Sequence, residues 1–86
     1  MQDRNKILQE AIGRVVEKIR KQKKLKFTIF CYENDIPMST YDGIVNASNQ
    51  SSFYNIGKII KALGLTYKEF GELLDKELPK CYWEND

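Results

Sequence analysis

One stretch, LKFTIFCYENDIPMSTYDGIV at residues 25–45, contains two short amphipathic segments separated by a break. In the first segment, apolar residues fall at i, i+3 and i+4 and so share one face of a helix of about two turns: Phe27, Phe30 and Cys31. Pro37 disfavours helical geometry in the residue before it, yet it suits the first turn of a new helix. The stretch therefore predicts a helix at 27–34, a tight turn, and a second helix at 37–45.

The flanking sequence predicts two longer helices. Apolar residues at three- and four-residue spacing predict a helix at about 5–23 and another at about 52–63. Gly13 lies inside the first of these, where glycine costs about 1 kcal/mol relative to alanine, so a close contact with another helix is a plausible reason for it. Gly64 follows the second as a C-terminal cap in left-handed geometry.

A fifth helix completes the prediction. Thr66 and Glu69 have the spacing of a capping box, in which each side chain binds a backbone N–H at the start of a helix. Pro79 cannot continue a helix and ends it. We therefore predict an all-α fold with a single domain at 1–79 and a short aromatic and acidic tail at 80–86.

The aromatic side chains are assigned by their place in this pattern. Three are expected in the core: Tyr41, Phe53 and Phe70. Tyr54 is expected on the outer side of the fourth helix. Two aromatic residues in a polar tail are unexpected, since exposed rings of this size are a liability. Tyr82 and Trp83 therefore either fold back on the domain or bury against another subunit, and both alternatives stay open.

Composition excludes several classes of protein. The chain has 86 residues, 42% hydrophobic and 30% charged, which is enough for one small core and is not typical of a disordered chain. Its two cysteines form no disulfide framework or metal-ligand series, which favours a reduced, cytoplasmic protein. Histidine, the commonest general base and metal ligand, is absent. We therefore expect no enzyme, cofactor, metal or small-molecule substrate, and no membrane span.

The net charge of +2 is unevenly distributed. Residues 1–26 carry +6, residues 27–57 carry −3 and contain no lysine or arginine, and residues 58–86 carry −1. The densest basic run is at 20–26. Such a run suits a phosphate backbone, but it also suits the end of a helix, where carbonyl dipoles favour cations. Charge alone leaves both interpretations open.

From residue 25 to residue 74 the chain resembles the Cro/CI-type (Xre, phage-repressor-like) helix-turn-helix family without a gap. The resemblance is carried by IPMSTY at 36–41, by the spacing of Phe53 and Ile56, and by KALGLT at 61–66. It implies a lambda-repressor-like domain of five helices. It also places six residues in the core: Leu25, Phe30, Cys31, Ile36, Tyr41 and Ile44.

The resemblance implies a sequence-specific DNA-binding transcriptional regulator with a helix-turn-helix at about 27–45 and its recognition helix, 37–45, in the major groove. Four positions then face the bases: Met38, Ser39, Asp42 and Gly43. Five contact phosphates: Lys24, Lys26, Asn46, Ser48 and Asn49. The implied partners are double-stranded DNA and a second copy of the chain, since paired copies bind half-sites one helical turn apart.

The sequence departs from the family at three structural positions. Asp35 stands in the tight turn where glycine is usual, and is expected in left-handed geometry. Ala47 replaces the glycine that ends the recognition helix, and left-handed alanine costs roughly 1 kcal/mol, so a neighbouring asparagine, Asn46 or Asn49, is expected to make that turn. Val45 replaces the glutamate that pairs with Arg20, which leaves Arg20 free with its stem covered by Val45.

The base-facing set also lacks Arg, Lys, Asn and Gln, the residues that bind guanine and adenine through two hydrogen bonds. A second hypothesis is favoured by this lack of base-binding residues, by the negative charge of residues 27–57 and by the aromatic tail. On that hypothesis the chain is a protein-interaction or antitoxin-like module on the same fold, with weak or no DNA binding. DNA binding weakens steeply with salt, whereas an apolar interface does not.

Overall fold

The computed structural model describes residues 3–48 and 52–83, and in these ranges the chain forms five α-helices and no strand. The helices are α1 (Arg4–Gln22), α2 (Phe27–Glu33), α3 (Met38–Val45), α4 (Phe53–Ala62) and α5 (Tyr67–Glu77). The predicted all-α fold is confirmed, and the numbered helix ends of the prediction differ from the observed ones by at most one residue. None of the described helices is long and apolar enough to cross a membrane.

Side-chain caps fix where three helices begin. Asp3 accepts a hydrogen bond from the backbone N–H of Lys6 and starts α1, and Ser52 does the same for α4. At α5, Thr66 and Glu69 form the predicted capping box, with both hydrogen bonds present at 3.1 and 2.9 Å. Each cap satisfies an N–H that the helix itself leaves without a partner.

Four helices end with the same backbone conformation and hydrogen-bond pattern. The residue after the cap takes positive φ: Lys24 at 57°, Asp35 at 57°, Ala47 at 53° and Gly64 at 79°. Its N–H and the next N–H return to carbonyls of the last helical turn, as in the bond from Ile36 to Cys31 at 2.9 Å. These paired bonds are those of a Schellman motif. They confirm the left-handed geometry expected of Asp35 and Gly64.

Ala47 corrects one prediction. We expected Asn46 or Asn49 to make the turn after the recognition helix, but Asn46 has φ of −93° and Ala47 takes the left-handed conformation. Asn49 lies outside the described residues. The Ala47 N–H binds the Ile44 carbonyl and the Ser48 N–H binds the Gly43 carbonyl. These bonds fix the position of the turn, so the alanine carries the conformational cost.

The core lies between α1 and the four shorter helices. α1 packs against α3 and α5, while α4 joins α3 to α5. The largest fully buried side chains of the core come from α1, α2, α4 and the cap residue that follows α4: Val16, Cys31, Ile59 and Leu63. Of the six core residues implied by the resemblance, Leu25 is half-buried and the rest are buried.

Tyr41 and Phe70 are buried as predicted, but the prediction for Phe53 was wrong. Phe53 is 72% exposed. It is the first residue of α4, so the apolar stripe of that helix runs past the end of the core at this point. Its ring lies against Tyr67, with centroids 5.2 Å apart. Tyr54 is exposed, as expected.

Gly13 marks the closest approach of two helix backbones. A Cβ atom there would overlap the carbonyl oxygen of Val45 and lie 3.0 Å from that of Ile44. The expectation that Gly13 marks a close helix contact is confirmed. Since a side chain at this site would push α3 away from α1, the glycine sets how closely α3 packs against α1.

The two tail aromatics have different environments. Tyr82 is buried, and its hydroxyl donates to the backbone carbonyl of Arg4 at 2.7 Å, so this part of the tail folds back on the start of α1. Trp83 is 71% exposed and packs edge-on against Tyr82, with centroids 4.6 Å apart. Folding back is therefore the alternative that holds for Tyr82.

Candidate nucleic-acid interface

The outer face of α3 carries three of the four predicted base-facing residues. Met38, Ser39 and Asp42 are exposed, whereas Gly43 is buried. Gly43 has no side chain to extend beyond the helix surface, and its carbonyl accepts the hydrogen bond from Ser48. The structure therefore brings Met38, Ser39 and Asp42 together on one exposed face of α3, the candidate reading face, and places Gly43 beneath it.

Asp42 and Asn46 lie one helical turn apart and bind each other. The Asn46 Nδ2 donates to Asp42 Oδ1 at 2.7 Å. This pair joins a predicted base-facing residue to a predicted phosphate contact, and it directs the amide of Asn46 toward the carboxylate. The i, i+4 spacing of the two residues is the signal in the sequence that would have predicted the pair.

The lysines predicted to contact phosphates lie between α1 and α2. Lys24 and Lys26 are exposed, on either side of the half-buried Leu25. Lys24 has left-handed geometry in the turn that ends α1, and Lys26 is the N-cap residue of α2. Two cations at the start of the helix-turn-helix are thus presented to solvent by a loop whose backbone is hydrogen-bonded to α1.

The segment after α3 supplies the remaining predicted phosphate contacts. Ser48 is exposed, directly after the turn at Ala47. Asn49, the last member of the predicted set, lies outside the described residues. Two exposed polar residues, Asn46 and Ser48, therefore lie just after the C-terminal end of α3.

Arg20 corrects the expectation that it is unpaired. Its Nε–H is shared between Glu17 Oε2 at 2.9 Å and the Tyr41 hydroxyl oxygen at 2.7 Å. A second guanidinium nitrogen donates to the Leu25 carbonyl at 2.5 Å. The Tyr41 hydroxyl in turn donates to Glu17 at 2.5 Å. This network ties α1, the loop of the two lysines and α3 together.

The network also shifts the pKa values of two of its side chains, Glu17 and Tyr41. The Arg20 guanidinium, more than the Tyr41 hydroxyl, holds the pKa of Glu17 below its usual range. Burial, reinforced by the hydrogen bond to Glu17, raises the pKa of Tyr41, so the phenol stays protonated. The resemblance places the partner of Arg20 at position 45, where Val45 cannot pair with it. The i, i+3 spacing to Glu17 was a readable signal, but Tyr41 is brought close only by packing.

An open groove between α2 and α3 was not predicted. It is lined by apolar and acidic side chains, among them Ile29, Tyr32, Glu33, Asp35 and Met38. Tyr32 is 88% exposed, the highest value among the exposed large hydrophobic residues of the described chain. The available signal in the sequence was the pair of acidic residues, Glu33 and Asp35, close after the apolar Ile29 and Tyr32. The groove borders the reading face, because Met38 belongs to both.

The described residues contain no group of three or more His, Cys, Asp or Glu side chains that could hold a metal ion. Cys31 is buried in the core, where desolvation raises the pKa of its thiol, and Cys81 is exposed in the tail. The exposed side chains of the described part of this surface are polar, apolar and charged groups.

The fold is similar to that of solved regulatory proteins. The wild-type restriction-modification controller protein C.Esp1396I matches with a TM-score of 0.74 and 26% identity, covering 81% of this chain and 92% of the other. The same controller protein, solved as a tetramer in complex with its natural 35 base-pair operator, matches with a TM-score of 0.75 over the same shares. No protein-family model and no curated protein matches the chain. The likeness is consistent with a Cro/CI-like fold.

Proposed function

We propose that the chain is a sequence-specific DNA-binding transcriptional regulator of the Cro/CI (Xre) type, which docks α3 in the major groove of double-stranded DNA and acts as a homodimer. The observation that carries this proposal is the likeness to a controller protein solved on its operator, at 26% identity over 81% of this chain. The exposed face of α3 and the lysine-bearing loop beside it are the features that support the proposed mode of docking.

In this mode, base contacts come from three chemically different side chains. Ser39 donates to or accepts from a base edge, Met38 contacts a thymine methyl, and the carboxylate of Asp42 accepts from a cytosine amino group. The hydrogen bond from Asn46 holds the Asp42 side chain in one orientation and satisfies part of its charge. This supports a preference for cytosine over guanine or adenine opposite Asp42.

In this mode, affinity for DNA comes from contacts between lysine side chains and backbone phosphates. Lys24 and Lys26 are exposed at the start of the helix-turn-helix and would neutralise backbone charge. Residues 27–57 carry −3, so the lysines must outweigh repulsion from this part of the chain. We therefore expect modest affinity for one copy of the domain, which a second copy on an adjacent half-site would raise.

Fluorescence anisotropy with random and selected duplexes, at two salt concentrations, tests the proposal. Lys26→Ala should weaken binding to all duplexes alike and reduce the salt slope by about 1, whereas Ser39→Ala should change which duplex is preferred. Lys80→Ala removes an exposed lysine outside the helix-turn-helix and should bind like the parent. If the Lys26 and Ser39 variants also bind every duplex like the parent, α3 does not dock as proposed.

A second candidate function is a protein-interaction module on the same fold. The groove beside α2, with exposed Ile29 and Tyr32 and the acidic Glu33 and Asp35, favours it, as does the lack of bidentate base readers on α3. Failure of the parent to bind any duplex at low salt would favour this alternative.

A further inference from the structure

The turn between α2 and α3 is made by a residue in an unfavourable backbone conformation. Asp35 holds φ of 57°, which side chains disfavour and glycine adopts at no steric cost. The Asp35 N–H returns to the Tyr32 carbonyl at 3.3 Å, and the next N–H returns to the Cys31 carbonyl at 2.9 Å. The turn therefore carries a conformational cost at the point that sets how α3 leaves α2.

The same turn concentrates negative charge. Glu33 and Asp35 are exposed at the C-terminal end of α2, where the carbonyl dipoles of the helix are themselves negative. Residues 27–57 contain no lysine or arginine that could offset this charge. A cation for the turn must therefore come from another part of the chain.

Lys58 supplies that cation from α4. Its Nζ donates to the backbone carbonyl oxygen of Asp35 at 3.0 Å, across 23 positions of the sequence. Lys58 is half-buried, and the two residues that follow it, Ile59 and Ile60, are buried in the core. The hydrogen bond therefore ties the turn to a helix that is anchored by packing.

The bond acts on the residue that has the unfavourable conformation. A hydrogen bond from an ammonium group is roughly twice as strong as one between neutral groups. Because the accepting oxygen belongs to Asp35 itself, the bond stabilises the left-handed turn where it is formed. A contact from α4 thus compensates for the absence of glycine at position 35.

We propose that Lys58 is a positioning residue for the reading face of α3, because its bond to the Asp35 carbonyl fixes the orientation of α3 relative to α2. This inference rests on the proposed function, since it concerns how well α3 discriminates among bases. Met38 begins α3 three residues after Asp35, so a shift of the turn displaces the first reading side chain. Lys58 acts through the turn and not through contact with phosphate.

Fluorescence anisotropy with a duplex selected from a random library, and with a random duplex, measures discrimination as the ratio of the two dissociation constants. Lys58→Met keeps the aliphatic stem and removes the donor. It should lower discrimination by roughly five-fold or more, the size of one lost base contact, with the salt slope unchanged. Lys58→Arg supplies a donor again and should retain most of the discrimination. A lysine that contacted phosphate would instead weaken both duplexes alike and lower the salt slope by about 1.

Lys61→Met is the matched control, because Lys61 is an exposed lysine three residues further along α4. It removes the same charge and should leave the ratio of dissociation constants unchanged. A loss of discrimination in this control equal to that in Lys58→Met would overturn the inference, as would a parental ratio in Lys58→Met.

Asp35→Gly tests the compensation directly, since glycine takes left-handed geometry without strain. In an Asp35→Gly background, Lys58→Met should lose most of its effect on discrimination. An effect of the same size in both backgrounds would show that Lys58 does not act through the turn.

Amide hydrogen exchange reports on the turn in the absence of DNA. In Lys58→Met, exchange should quicken at the amides of Asp35 and Ile36, while that of the buried Ile59 stays slow. Parental exchange at the turn would overturn the positioning role. If the parent binds DNA and Lys58→Met discriminates as well as the parent, only the positioning role is wrong. If the parent binds no duplex, the proposed function fails, and the role in base reading fails with it.

Discussion

Arg20 Nε lies 2.7 Å from the hydroxyl oxygen of Tyr41, and this hydrogen bond joins the long first helix, α1, to α3. The same hydroxyl donates to Glu17, one turn before Arg20 on α1. In the resembled family the corresponding arginine pairs with a glutamate of the recognition helix, whose place Val45 takes here. In the present chain the same two helices are joined by the phenol of Tyr41, which lies on α3, and the carboxylate of Glu17, which lies on α1.

Tyr41→Phe keeps the ring and removes both hydroxyl bonds. We expect it to lower the free energy of unfolding by roughly 1–2 kcal/mol, measured by urea denaturation. Tyr32→Phe removes a hydroxyl from a side chain that is 88% exposed, and should change stability by no more than about 0.5 kcal/mol. Equal effects of the two changes would show that the network contributes nothing to the fold.

The lowered pKa of Glu17 predicts how the stability of the fold depends on pH. Because the folded state lowers its pKa, Glu17 contributes stability above its unfolded pKa of about 4.3, and this is lost as pH falls through the lower folded value. Glu17→Gln should lower stability at neutral pH and flatten the acid side of the stability profile.

Tyr41→Phe should give an intermediate acid slope, because Glu17 then keeps the hydrogen bond from Arg20 but loses that from the phenol. Urea midpoints measured at several pH values below neutrality provide the comparison. An acid slope for Glu17→Gln as steep as that of the parent would assign the acid sensitivity to other carboxylates.

Gly13→Ala should destabilise the chain even though alanine favours a helix. The new methyl would overlap the Val45 carbonyl, which belongs to backbone and cannot rotate away. We expect a loss of roughly 1–3 kcal/mol, measured by thermal or urea unfolding. Gly71→Ala, where the methyl meets nothing, should instead gain up to about 1 kcal/mol. A gain in stability for Gly13→Ala as well would mean that α1 and α3 are not in close contact.

Ala47→Gly should stabilise the chain, because Ala47 holds φ of 53° in the turn after α3. Removing the Cβ relieves a left-handed conformation that costs roughly 1 kcal/mol. Gly64→Ala places a Cβ in the equivalent position after α4, at φ of 79°, and should lose a similar amount. Differential scanning calorimetry of both variants checks the opposite signs, and a loss in both would place the strain elsewhere.

The five helices and their ends were predictable because the signals are local. The spacing of apolar residues, the capping box at Thr66 and the left-handed position at Gly64 each depend on residues within about one turn of one another. The left-handed geometry of Asp35 was expected instead from the resemblance to the family. Glycine at 13 likewise predicted a close contact, since its cost in a helix calls for a reason. These features follow from backbone geometry, which the sequence specifies over short distances.

The partners across the fold were decided only by tertiary structure. Tyr41 reaches Arg20 from 21 positions away, and Tyr82 reaches Arg4 from 78 positions away. Phe53 continues an apolar stripe but lies where the core ends, and Tyr67 rests on Gly57 because α5 packs beside α4. Such contacts depend on how far one helix extends past another and at what depth it packs, and no spacing within a single helix encodes either quantity.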